Sequence, residues 1–435
     1  GGGYDYGQFS LISKADYSYD SRYYLSASFR QDRSSRFAKE HRAGNFWSVS
    51  GAWRISNEGF WEPLRQVVNS FRLKSSYGIN GNLPNSYYYM SSYSPINNMN
   101  NPGASLSTLS FEDLTWEKNA IWNIGLEFGF WDDRLRFSVE YYRRRTEDLL
   151  LDLPISNTSG FATKLQNSPT AGIKNQGLEF ELNAVLLNTK KWSWSVNVNV
   201  ATLKARYFGL ENSFIDDKQR QIVANGYSPN TWWLRPYAGI NPETGQQQYI
   251  RYTDGVPEVV TSTTGVEYAA TDKQGIPKYT GGFSTTIAFK GLELSALFSF
   301  AGGHYIYDRQ AAYTENDGSD LGAVSVRQLD RWTPLHTDAA APLRIVGYSS
   351  QARTTRFLEK GDYLKLRNIS LSYDLPRRWM RAISLGGIRV FVQAENLWVL
   401  TRMNDYDPEL SIDGYRNYDT YPFAVTVTGG ITVTF

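Results

Sequence analysis

The feature that most limits how this chain can fold is a period-two alternation of apolar and polar residues. It is sustained over segments about twice as long as an ordinary strand. The last segment shows it best: Phe423, Val425, Val427, Ile431, Val433 and Phe435 are apolar, with Ala424, Thr426, Thr428, Gly430, Thr432 and Thr434 between them. Trp192, Trp194, Val196, Val198 and Val200 alternate with Ser193, Ser195, Asn197 and Asn199. Leu178, Phe180, Leu182, Ala184 and Leu186 alternate with Glu179, Glu181 and Asn183. Successive side chains of an extended chain point to opposite faces, so each segment carries one apolar and one polar face. Helical spacing is nearly absent.

By this test the chain holds about thirteen strands of roughly 10–16 residues. They centre on Gln8–Tyr19, Tyr23–Arg33, Asn45–Ser56, Phe71–Gly81, Glu117–Trp131, Arg134–Asp148, Asn175–Leu187, Lys191–Phe208, Tyr279–Phe289, Leu292–Tyr307, Asp362–Leu375, Ile388–Thr401 and Pro422–Phe435. Their connections alternate too. One set is short, at Asp20–Arg22, Asp132-Asp133, Asn188–Lys190 and Lys290-Gly291, with moderate turns through Glu58–Asn69 and Pro376–Gly387. The other is mostly long: Asn82–Trp116, Leu149–Lys174, Gly209–Lys278, Asp308–Gly361 and Arg402–Tyr421. Short turns on one side and long loops on the other are the signature of an outer-membrane barrel.

A soluble sheet also alternates, with its apolar face as core. Three features favour the membrane. The strands are long enough to cross a hydrocarbon layer at a tilt. Trp47, Trp131, Trp192, Trp194 and Trp398 gather at strand ends, where girdles at the bilayer interfaces would place them. The chain also stops at Phe435, the last residue of an alternating strand. Lipid then meets the apolar row, while Arg72, Glu127, Arg136, Glu140, Glu179, Glu181 and Glu293 line a wet interior. A charge turned to lipid at mid-depth would cost about 2–4 kcal/mol.

Composition narrows the function. A net charge of +2 implies no polyanion, so no nucleic-acid partner is expected. There is no cysteine, hence no disulfide or thiolate site, and no cofactor is called for. No stretch approaches the roughly 18 apolar residues of a membrane helix. The start, Gly1 to Tyr4, carries no signal-peptide pattern and reads as a break in a longer chain. Thirteen strands cannot close a barrel whose first and last strands run the same way, so preceding strands are expected.

Phe29–Phe37, Phe46–Arg54, Tyr363–Asn368 and Asp407–Glu409, with several further stretches, together resemble the C-terminal half of SusC-like (RagA-like) TonB-dependent transporters, outer-membrane importers of Bacteroidetes. Phe29–Phe37 is similar to the family's RxDxSSRF loop, and Phe46–Arg54 to the strand after it. Further matches are Ser76–Asn82, Trp116–Lys118, Tyr141-Tyr142 with Arg145–Leu150, Asn175–Glu179, Arg331–Pro334, Tyr363–Asn368, Asn396-Leu397, Asp407–Glu409 and Tyr421-Pro422. They run in family order from about residue 20 to the end. The resemblance implies an all-β, antiparallel transmembrane barrel of 22 strands, with residues 1–435 as its C-terminal part. It also implies a plug domain and first strands outside this chain, a TonB complex that supplies energy, and a SusD-like surface lipoprotein as lid. The substrate would be an oligosaccharide or a peptide, and the location the cell outer membrane.

The long loops supply the candidate site residues. Flat aromatic faces stack on sugars, grip peptides or anchor protein interfaces. Tyr87, Tyr88, Tyr89 and Tyr93, with Trp232 and Trp233, are therefore the expected substrate or lid contacts, Trp232-Trp233 first; loop packing is the plainer alternative. Phe435 resembles a terminal assembly signal. Arg143-Arg144-Arg145 is expected at the outer rim, where it would meet lipid phosphates, a lid or water. His41, His304 and His336 read as exposed loop residues, with no catalytic triad or zinc pattern around them. Asn404–Glu409 with Asp413 reads as an ordinary acidic turn without calcium-loop spacing, so no metal site is expected. Rival functions are a passive porin-like channel, a soluble all-β surface binding protein, and a barrel enzyme for which no catalytic constellation is evident.

Overall fold

Long strands form because the alternating stretches are rich in β-branched and aromatic residues and end at residues that accept left-handed backbone. The hairpin Lys290-Gly291 has φ of +48° and +91°, and Asp20-Ser21 has φ of +50° and +52°. Positive φ at both central positions gives a turn whose twist matches that of the flanking strands. The computed structural model describes residues 5–216, 220–319, 322–346, 353–382, 385–403, 406–411, 413–417 and 421–435. Of the acidic turn, Asn404 and Asp405 lie outside the described residues.

Two compact units divide the chain: Gly1–Leu187, Ser195–Phe214 and Ala224–Gly226 in one, and Asn188–Trp194, Ile215–Val223 and Tyr227–Phe435 in the other. The first holds strands β1 (Gln8–Tyr19), β2 (Tyr23–Ser34), β3 (Ala43–Arg54), β4 (Val68–Asn82), β5 (Glu117–Phe130), β6 (Leu135–Glu147), β7 (Gly172–Asn188) and most of β8 (Trp192–Thr202). Each is hydrogen-bonded to the next in sequence order. The second holds β9 (Tyr279–Phe289), β10 (Leu292–Gly302), β11 (Tyr363–Asp374), β12 (Gly387–Thr401) and β13 (Thr426–Thr434), again in sequence order.

Register fixes which residues share a face. In the second unit Val390 lies between Tyr373 and Ile431, and Val392 between Leu371 and Gly429, on one face. Arg389 lies between Asp374 and Thr432, and Gln393 between Ser370 and Thr428, on the other. Val427 and Ile431 are 66% and 68% exposed, so their row covers no core. In the first unit Leu73, Leu126, Val139 and Phe180 stand abreast on the apolar face. Phe71 and Phe128 stack there at 4.6 Å. Cross-strand aromatic pairs of this kind add about 0.2–1 kcal/mol each.

Three strand expectations need correction. Leu292–Tyr307 is interrupted: β10 ends at Gly302, Gly303 takes φ of +77°, and Tyr305–Asp308 joins a different sheet. Lys191–Phe208 is likewise split into β8 and Lys204–Phe208. The final strand starts at Thr426, four residues later than its alternation suggests. The long loops are not structureless: they carry short sheets of their own.

Candidate functional site

On the polar face of the first unit, Lys74, Gly125, Glu140 and Glu179 stand abreast, and Arg72, Glu127, Ser138 and Glu181 form the adjacent row. Lys74 Nζ lies 3.2 Å from Glu127 and 2.7 Å from Glu140, and Arg72 pairs with Glu127. Gly125 makes room for this, because a Cβ there would come within 2.9 Å of Lys74 Cε. The wall thus presents a linked set of charges that water or a polar solute can meet without a lone ion in an apolar setting.

The loops of the second unit fold into a body with its own core. Thr231–Leu234 pairs with Gln221–Val223 and with Ala269–Gln274. Tyr305–Asp308 pairs with Leu358–Lys360 and runs parallel to Tyr415-Arg416. Trp232, Leu234, Tyr307, Ala311, Phe357, Leu358 and Tyr415 pack together. Trp232 Nε1 donates to the Tyr305 carbonyl at 3.0 Å.

Beside this core lies a buried ion set. Asp317 accepts from Arg356 at 2.5 Å, from Gln247 Nε2 at 2.9 Å and from Gln328 Nε2 at 3.0 Å. Arg416 pairs with Asp308 at 2.9 Å. Burial pushes the Glu315 carboxyl above its ordinary value despite Arg356 and Arg327. Burial also pushes the Tyr406 hydroxyl up to about 12. At the base of the loops, Lys365 Nζ of β11 meets Asp407 at 2.5 Å and Glu409 at 3.1 Å, and Arg367 pairs with Glu409.

The expected contacts fare differently. Trp232 is fully buried, so it is a core anchor with no face left for a ligand. Its neighbour Trp233 is half-buried, because successive residues of a strand face opposite ways. Tyr87, Tyr88 and Tyr89 are half-buried. Tyr87 Oη donates to the Asp5 carbonyl at 2.5 Å, and Tyr88 packs on the cluster of Phe37, Phe46, Leu114 and Trp116. Tyr93 is open to solvent on the hairpin formed by Ser92–Asn98 and Asn101–Thr108. Phe435 is exposed.

His304 departs from expectation: it is buried, and Gly361 sits close enough that a Cβ there would come within 2.5 Å of its Nε2. Burial holds its imidazole below the ordinary value. Of the arginine run, Arg144 turns to the polar face and donates to Asn119 Oδ1 at 3.0 and 2.7 Å, while Arg143 and Arg145 stay on the apolar side. The members of the Asp317–Arg356 centre lie far apart in sequence, and no motif links them. Among the described residues, no group of three or more His, Cys, Asp or Glu could hold a metal ion.

Residues 1–397 match the family model described as TonB dependent receptor-like, beta-barrel. Similar curated proteins include TonB-dependent receptor P3 of Formosa agariphila, 26% identical over 98% of this chain and 45% of its own length. Another is the TonB-dependent receptor SusC of Bacteroides thetaiotaomicron, 25% identical over 98% of this chain and 43% of its own. Among solved structures, the RagAB peptide transporter superposes with a TM-score of 0.89 at 31% identity, over 99% of this chain and 48% of that chain. The RagAB peptide importer in the open-open state gives a TM-score of 0.87 at 30% identity, over 99% and 47%. The chain therefore spans about half the length of the relatives it matches.

Proposed function

This chain belongs to the TonB-dependent receptor-like β-barrel family, and from that premise we propose that it supplies wall and outer loops for the active import of an oligomeric nutrient, a peptide or an oligosaccharide. The observation that carries the reading is the separation of faces over most of the wall. One row of side chains is apolar and exposed; the other is polar and joined by ion pairs such as Lys74 with Glu127 and Glu140. A wall of that kind suits lipid on one side and a hydrated path on the other.

The folded loop body of the second unit supports substrate selection rather than free passage, because a buried core holds its surface in one shape. Trp233, Tyr87, Tyr88, Tyr89 and Tyr93 remain the proposed contacts with substrate or lid. A SusD-like lipoprotein is the proposed lid. The plug and the TonB contact are assigned to the half of the relatives that this chain does not match. The peptide importers among the similar structures make peptide the first class to test.

The test is uptake by cells carrying or lacking the full-length protein, offered labelled oligopeptides or labelled oligosaccharides, with and without a protonophore. Uptake of one class that requires both the protein and the proton gradient is expected. Uptake that survives the protonophore would point to a passive channel instead.

A further inference from the structure

On the apolar side of the first unit, two register rows change character part-way along. Phe29, Trp47, Ile79 and Ala120 continue into Arg145, Lys174 and Arg206. Ala27, Val49, Tyr77 and Trp122 continue into Arg143, Gln176 and Lys204. Residues directly opposite on neighbouring strands share a face, so all five cations lie on the side that carries the aromatic row. Barrel strands tilt, so a register row climbs as it crosses them. Both rows become charged between β5 and β6, at the end of the strands that leads into the long loops.

The arrangement is unfavourable by itself. Arg145, Lys174 and Arg206 stand side by side on three neighbouring strands, and like charges directly opposite one another are destabilising. Among the described residues, the one carboxylate engaging this set is Glu147, on Arg145 at 2.5 Å. Phe208 lies among the cations, with Arg145 4.5 Å and Lys174 4.7 Å from its ring centre. The short strand Lys204–Phe208 brings Lys204 and Arg206 to this place by pairing with Gly172–Gln176. Arg143, Lys204 and Arg206 are exposed.

The geometry points to a binding site for the phosphorylated head group of an outer-leaflet lipid, formed by Arg143, Arg145, Lys174, Lys204 and Arg206. The patch continues the lipid-facing surface without a break, begins where the Tyr77–Trp122 aromatic level ends, and among the described residues sets a single carboxylate, Glu147, against five cations, an excess that phosphates would offset. Guanidinium and phosphate pair through two parallel hydrogen bonds, and a lysine adds a point charge. A lipid held here would steady the rim beneath the loop that connects β6 to β7. The site rests on the membrane orientation of the strands and is independent of which nutrient is imported.

The test uses the full-length protein in nanodiscs that contain either phosphorylated or dephosphorylated lipid A, with retained lipid read by native mass spectrometry. The natural protein is expected to retain the phosphorylated form preferentially, by on the order of tenfold. The variant K174Q/K204Q/R206Q should lose that preference, and K174R/K204R should keep it. An unchanged preference in the glutamine variant, or none in the natural protein, overturns the proposal. Loss of a bound lid lipoprotein with lipid retention unchanged also overturns it and assigns the patch to a protein. Should the glutamine variant fail to fold, salt decides: a preference in the natural protein that does not fall as salt rises contradicts a phosphate contact.

Discussion

Lys365 Nζ lies 2.5 Å from Asp407 Oδ2, and both residues are buried although 42 positions separate them. The contact ties the last long loop to strand β11. Removing one partner of a buried pair leaves the other charge without compensation, which costs about 3–5 kcal/mol. Lys365→Met is therefore expected to lower the unfolding temperature of the purified protein. Lys365→Met combined with Asp407→Asn, which leaves Glu409 to Arg367, should recover part of the loss. A double-mutant cycle read by thermal unfolding checks this, and additive effects of the changes would show that the pair does not couple.

The two neighbouring tryptophans should separate in their effects. Trp232→Ala empties a core position against Tyr415, 5.0 Å away between ring centres, and a loss of about 3–5 kcal/mol is expected in the loop body. Trp233→Ala should cost about 0.5 kcal/mol or less in stability and weaken substrate or lid binding. Hydrogen exchange over residues 220–360 reads the first effect, and a binding titration the second.

Gly177 has no room for a side chain, since a Cβ there would sit 1.9 Å from the Thr202 carbonyl oxygen. At the same place Thr202 Oγ1 accepts from the Leu178 amide at 2.9 Å, where β8 gives way to Lys204–Phe208. Gly177→Ala is expected to push the two strands apart and cost about 1–3 kcal/mol. Heat-modified gel mobility would show it as a lower transition temperature.

The loop at Asp330–Ala341 should respond to pH. His336 Nε2 lies 2.6 Å from Asp330, and Asp338 is 3.3 Å from its Nδ1. The Asp330 hydrogen bond holds the imidazole above its ordinary value, and the same bond holds the Asp330 carboxyl below its own. A raised histidine stabilises fully below its unfolded value of about 6.5. That contribution is lost as pH rises through the folded value. Protection of the Thr333 and Ala341 amides, taken relative to their intrinsic base-catalysed exchange rates, should therefore fall from pH 6 to pH 9, and His336→Gln should remove that fall. The Asp330 contribution is lost only in acid, as pH falls through its depressed value, so it does not oppose the trend.

Much of the wall could be read from the sequence. Gln8–Tyr19 and Tyr279–Phe289 have the bounds that their alternation gives, because a strand with one apolar and one polar face has only one workable register. The polar set Arg72, Glu127 and Glu140 also falls on one face as its spacing requires. The loop body was not legible. Trp232 and Trp233 look alike in sequence, and only the pairing of Thr231–Leu234 decides which one turns inward. The stretches Tyr363–Asn368 and Asp407–Glu409 are separate motifs in sequence, and nothing local says that Lys365 and Asp407 meet. Period two reports the solvent on each face of a strand; it carries no information about contacts made by a chain that has left the sheet.

In a membrane wall of this kind, odd-numbered residues of β13 touch lipid and even-numbered residues face water. Residues 1–435 contain no cysteine, so single cysteines placed among them stand alone once any cysteine elsewhere in the full-length protein is replaced by serine. Spin labels at positions 427, 431 and 433, and at 428 and 432, in full-length protein reconstituted in bilayers, would report collision with oxygen and with a water-soluble nickel chelate. The account predicts high oxygen access at Val427, Ile431 and Val433 and high nickel access at Thr428 and Thr432. Equal access along the strand, or the reverse alternation, would contradict it.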